Sequence, residues 1–110
     1  MSDAAIFGFD LKKKMEEATH LPLSQGRSTH AVVSFPNLKL FVIYMPAGSS
    51  WSKHSTTGRI AVQVLRGHIV MTAVGERYDL AAGHGAALDS GIEHDVQAQE
   101  ESWFLLTVAR

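Results

Sequence analysis

The sequence predicts an all-β domain, an antiparallel sandwich or small barrel, with one short helix near the N-terminus. Three observations carry this. From about His30 onward, short β-prone runs recur roughly every ten residues. Glycines and polar clusters punctuate them, at Gly67, Gly75-Glu76, Gly83, "DSG" and "QEE". No convincing helical periodicity interrupts the series.

The helix is expected at Asp10–Ala18. Asp10 is a good N-cap, and Leu11, Met15 and Ala18 share one face at spacings of four and three. A helix so short is marginal alone and must dock. The first strand is "THAVVSF", followed by "PN", where Pro36 suits the first corner of a turn, and then "LKLFVIYM". The later strands are "RIAVQVL", "HIVMTAV", "RYDLAA", "GAAL", "EHDVQA" and "WFLLTVA". The run Leu40–Met45 lacks the alternation of a strand wetted on one side, so it is expected to be covered on both faces. The outer cover must be the N-terminal segment or a second subunit.

At 110 residues the chain is one domain, divided here into an N-terminal segment, 1–29, and a barrel, 30–110. A hydrophobic fraction of 45% with 19% charged residues describes an ordinary globular protein. The net charge is −1, and Lys12-Lys13-Lys14 runs straight into Glu16-Glu17, which argues against a nucleic-acid surface. There is no cysteine, which removes disulfides, thiol nucleophiles and Cys-ligated zinc. No apolar run approaches the ~20 residues of a membrane-spanning helix, and no basic start precedes an apolar stretch. The expected location is the cytoplasm, with no membrane or nucleic-acid partner.

Two blocks carry specific spacing. In the first, Gly48 is followed after five residues by His54, then Thr56 one residue on, Ile60 after three more and Gly67 after six. In the second, Gly83 is followed after five residues by Asp89, then Gly91 and, after two residues, His94. With fifteen residues between the blocks, this pair resembles the two motifs of the cupins, over roughly Met45 to Val108. The resemblance implies a jelly-roll barrel, like that of the small single-domain members.

It also implies a metal site in which two histidines and a glutamate of the first motif join one histidine of the second. This chain keeps His54 and His94, with Thr56 and Ile60 in the other two positions; Asp89 replaces a proline and Ala98 an asparagine. A degenerate site follows, with His54 and His94 as the remaining candidate ligands for one divalent ion such as Fe, Mn, Ni or Zn. His54 is equally readable as a polar pocket wall beside Ser52 and Thr56. His94 shares parity with Ile92 and Val96 and is expected to point inward. Trp51 reads as packing, or as a pocket lid.

Three functions remain open. One is a small organic ligand bound in the interior by Ser52, His54, Thr56 and His94, with apolar walls from Ile60, Val62 and Val64. The second is a metal-dependent dioxygenase, isomerase or lyase that recruits a ligand from outside the two motifs. The third is a non-catalytic structural or interaction module. No catalytic residue is assignable. His54 and His94 are expected to meet across one pocket. A homodimer is expected through the outward residues of Leu38–Met45 and the N-terminal segment.

Overall fold

A computed structural model describes residues 5–110. It contains α1 (Leu11–His20) and nine strands: β1 (Ser28–Ser34), β2 (Leu38–Met45), β3 (Ser50–His54), β4 (Arg59–Arg66), β5 (His68–Ala73), β6 (Glu76–Ala81), β7 (Gly85–Leu88), β8 (His94–Ala98) and β9 (Ser102–Ala109). Every ladder is antiparallel. One sheet runs β1-β2-β9-β4-β7 and the other β3-β8-β5-β6, the jelly-roll arrangement. No ladder among the described residues joins the two sheets, so the expected barrel is an open sandwich.

The core lies between the sheets. Ile43 and Met45 of β2, Ile60, Val62 and Val64 of β4, and Phe104 and Val108 of β9 meet Ile69 and Met71 of β5 and Val96 and Ala98 of β8. Each set alternates along its strand, so the period of two decides which side chains enter. Gly67, the glycine that closes the first motif, turns β4 into β5 at φ +90°. A Cβ there would run into the Glu101 carbonyl and the Ser102 hydroxyl.

The expected double cover of β2 is supplied by the chain's own helix. Asp10 caps α1 by accepting from the Lys13 amide at 3.1 Å, as its sequence position suggested; the helix extends two residues beyond Ala18. Leu11, Met15 and Ala18 pack on Val42 and Tyr44, the outward residues of β2. Phe41 and Ile43 face the inner core instead. Trp103 of β9 pins the helix by donating its indole N–H to Thr19 Oγ1 at 2.9 Å and to the Met15 carbonyl at 3.2 Å. On the same face Tyr44 donates to Glu101 at 2.6 Å, and the carboxylate's acceptance of that bond pushes the phenol up to about 12. The apolar reason for a second subunit on Val42 and Tyr44 therefore disappears. Ahead of α1, the apolar side chains of Ile6, at 89%, Phe7 and Phe9 stay exposed.

One strand lies outside the apolar runs that the sequence singles out. β3, "SWSKH", is short and polar, and it sits at the edge of its sheet. Its register against β8 slips between Trp51 and His54, where three steps on β3 match two on β8.

The β5–β6 turn stores strain. Val74 and Gly75 form its two-residue loop at φ 53° and 73°, a geometry that suits Asn-Gly and penalises a β-branched side chain. Val74 gains little in return, since it is 78% exposed. Val74→Asn should raise stability by about 1 kcal/mol; an unchanged or lowered urea midpoint would show that the turn carries no such strain.

Candidate functional site

β3 and β8 bring the two motif histidines together. His54 and His94 are register partners across the ladder. Their ring centroids are 4.2 Å apart, edge to face at 61°. Both line one small cavity between the sheets, with Trp51, Thr56, Ile60, Val62, Phe104 and Leu106. Thus Thr56, Ile60 and Val62 stand where the sequence suggested, around an imidazole pair.

Ser52 does not share the site as expected. The β3 register slip breaks the simple alternation, and the Ser52 side chain is exposed and outside the cavity lining. Its contribution is its carbonyl, 2.7 Å from His54 Nδ1. Val64 belongs to the core and does not line the cavity. Asp89 acts on the turn: its Oδ1 accepts from the Ser90 amide at 2.8 Å and from Arg59 Nε at 2.9 Å.

Two lining residues, Phe104 and Leu106, escaped sequence reasoning, and Trp51, read as packing or a pocket lid, does line the cavity. Phe104 and Leu106 alternate inward on β9, a signal that parity offered once that strand was placed. Trp51 comes to the same side as His54 because of the register slip, and the two rings stack at 4.4 Å and 11°. Arg27 lies with its Cζ 3.9 Å from the Trp51 ring centroid. No local pattern announces that last contact.

The hydrogen bonds fix the tautomers. A carbonyl oxygen only accepts, so His54 donates its Nδ1–H to the Ser52 carbonyl and His94 donates its own to the Ile92 carbonyl, at 3.0 Å. In the neutral rings each Nε2 is then a lone-pair acceptor, and neither has a hydrogen-bond partner among the described residues. Burial holds His54 below the ordinary imidazole value. The charges of His94 and Arg27 push the same way, against the Ser52 carbonyl and Asp95.

The metal implied by the resemblance needs four donors. Here two imidazoles remain, Thr56 offers a neutral hydroxyl, and Ile60 puts hydrocarbon in the carboxylate's place. No group of three or more His, Cys, Asp or Glu suited to a metal occurs among the described residues. The donor set does not fit a preformed divalent-metal centre.

The cavity measures about 80 Å³, against roughly 300–1,000 Å³ for sites that enclose a whole drug-sized ligand. It admits a few heavy atoms. A wider groove of about 500 Å³, lined by Lys53, Thr72, Glu93 and Asp95 among others, touches neither imidazole.

Fold and site together define a small cupin-fold protein with a histidine pair in place of the full ligand set. No family model matches the sequence, and no curated protein sequence matches it. Solved structures do. An RmlC-like cupin from Shewanella frigidimarina superposes at TM-score 0.80 with 16% identity, over 99% of this chain and 94% of that one. A conserved protein of unknown function from Streptococcus pyogenes gives 0.75 at 23% identity, over 100% of this chain and 90% of that one. A salicylate 1,2-dioxygenase from Pseudoaminobacter salicylatoxidans gives 0.77 at 16%, over 90% of this chain but 31% of that one. Such likeness shows the fold, and the fold hosts enzymes as well as proteins without assigned function.

The depressed pKa of His54 has a pH consequence. An imidazole that resists its proton in the folded state costs stability once the unfolded chain can be protonated. Stability should therefore fall as pH drops from 6.5 through the lowered folded value. In thermal melts, His54→Gln should flatten that decline relative to wild type; parallel profiles would show that His54 is not held neutral.

Proposed function

We propose that this chain binds the polar end of a small organic molecule between His54 and His94, without a metal. The observation that supports this most directly is the disposition of the two imidazoles. Both Nδ1–H groups are committed to backbone carbonyls, which leaves two neighbouring Nε2 acceptors. They stand among Trp51, Ile60, Val62, Phe104 and Leu106. A ligand amine donates to both, or a hydroxyl to one of the two, and the hydrocarbon part meets the apolar walls. The small volume limits what enters to a short fragment, with the rest of the ligand at the mouth.

Nuclear magnetic resonance of the imidazoles tests the reading. In alkaline buffer, both rings should report the Nδ1–H tautomer. Ethylene glycol and glycolamide should shift the His54 and His94 Hε1 signals saturably, and the shifts should persist after dialysis against a chelator. His94→Ala should abolish them while leaving the strand circular dichroism intact. Shifts that vanish with chelation and return with iron, nickel, manganese or zinc would replace this proposal with the metal-dependent one.

A second reading, a non-catalytic interaction module, is favoured by the small cavity together with the exposed Ile6, Phe7 and Phe9. In that case a homodimer pairs through the N-terminal segment, where Phe7 packs on Phe35 with centroids 5.4 Å apart. Light scattering at micromolar concentration should give twice the 12.0 kDa chain mass, and Ile6→Ser with Phe7→Ser should restore the monomer. A 12.0 kDa species in the unaltered protein would refute the dimer.

A further inference from the structure

A second cavity, of about 130 Å³, lies between the sheets. Met71, Ala73 and Tyr78 line it from the four-stranded sheet and Ala86 and Leu88 from the five-stranded one, with Ile92 from the segment that enters β8. Its walls are hydrocarbon apart from the hydroxyl of Tyr78, and it shares no lining residue with the imidazole cavity.

Strand register nevertheless sets the two side by side. In the four-stranded sheet, His54 pairs with His94, and His94 pairs in turn with Ala73. In the five-stranded sheet, Leu106 pairs with Val62, and Val62 with Ala86. Ladder partners project from the same face, their Cβ atoms about 5 Å apart. Each row therefore starts in the lining of the imidazole cavity and ends, one strand over, in the lining of the second. Both rows end in alanine, so only methyl groups project on the far side, where imidazole and valine project on the near one. Ile92 adds a third link, since its carbonyl accepts from His94 Nδ1 at 3.0 Å while the residue lines the second cavity.

We infer that this second cavity is the tail compartment of the imidazole site, so that the ligand is a short amphiphile: a hydroxyl or amine at His54 and His94, and a hydrocarbon tail that ends between Ala73 and Ala86. The inference rests on the imidazole pair being the ligand site. The smaller cavity, about 80 Å³, holds only the head of such a molecule, and the second gives the tail a covered apolar place. An apolar cavity of roughly 150 Å³ accepts benzene, so about 130 Å³ sets the tail at a short alkyl chain or a single small ring. A charged tail is rejected, because the lining offers no partner to replace its water. Ala73 and Ala86 are then specificity-determining residues: a larger side chain at either shortens the tail that fits.

Straight-chain primary alcohols from propanol to heptanol, titrated into the full chain, separate head from tail. The signals followed are the Hε1 protons of His54 and His94 and the methyl groups of Ala73 and Ala86. Affinity should rise about fourfold per methylene, with imidazole and alanine signals moving at one midpoint. Ala86→Leu should flatten that rise while ethylene glycol still shifts the imidazoles as in wild type, and Ala73→Val should flatten it from the opposite sheet. No gain with chain length, or the same gain in both variants, would overturn the tail compartment and leave the imidazole site standing. Alanine shifts without imidazole shifts would mark an isolated apolar cavity and overturn the joint site. If ethylene glycol itself moves neither imidazole, the head site falls and the compartment with it.

Discussion

Between Trp51 and His54 the edge strand β3 takes three steps where β8 takes two, and this added residue rotates the strand enough to bring both rings to one side. Without it, residues three apart on a strand would point to opposite faces. The stack of Trp51 on His54 depends on this slip, and Arg27 lies on Trp51 in turn. So does the loss of Ser52 from the lining, since one strand cannot keep its alternation and make that turn. The cavity is therefore formed by an irregularity in one sheet set against the alternating Ile60, Val62, Phe104 and Leu106 of β4 and β9 in the other.

The imidazole pair shows how polar groups persist beside hydrocarbon. Each ring satisfies its donor locally, two residues back along its own chain, with the Ser52 and Ile92 carbonyls. That choice leaves acceptors in the cavity and costs no buried unsatisfied side-chain atom among the described residues. It also separates this chain from the metal-binding pattern that its motifs resemble. The same two histidines serve either arrangement; Ile60 in the carboxylate position decides between them, because hydrocarbon cannot supply the anionic donor that a divalent ion needs.

Much of the fold was legible because its signals are local. Asp10 announces its helix through its own side chain, and the glycines of the two motifs announce turns through their backbone freedom. The double cover of Leu40–Met45 was also readable, but not what covers it. The face of Leu11, Met15 and Ala18 is narrow, and Trp103, anchored to Thr19 from 84 residues away, widens the contact. β3 was hidden by its polarity and its slip. Arg27 could not be seen at all, since its meeting with Trp51 joins a turn to an edge strand across a gap in sequence. Local residues specify elements; sites at their junctions need the docking as well.

The slip in β3 has a counterpart in the other sheet. β1 is the outer strand of the five-stranded sheet, and its register against β2 also breaks, between Ala31 and Val33. An outermost strand with straight, regular backbone is a template on which another extended chain can add. Here one such strand of each sheet is kinked, so neither presents a continuous row of matching amides and carbonyls. Growth of the sheets into fibrous stacks is opposed at both places. At these two edges strand addition is opposed, and the residue that shapes the pocket also helps keep its sheet finite.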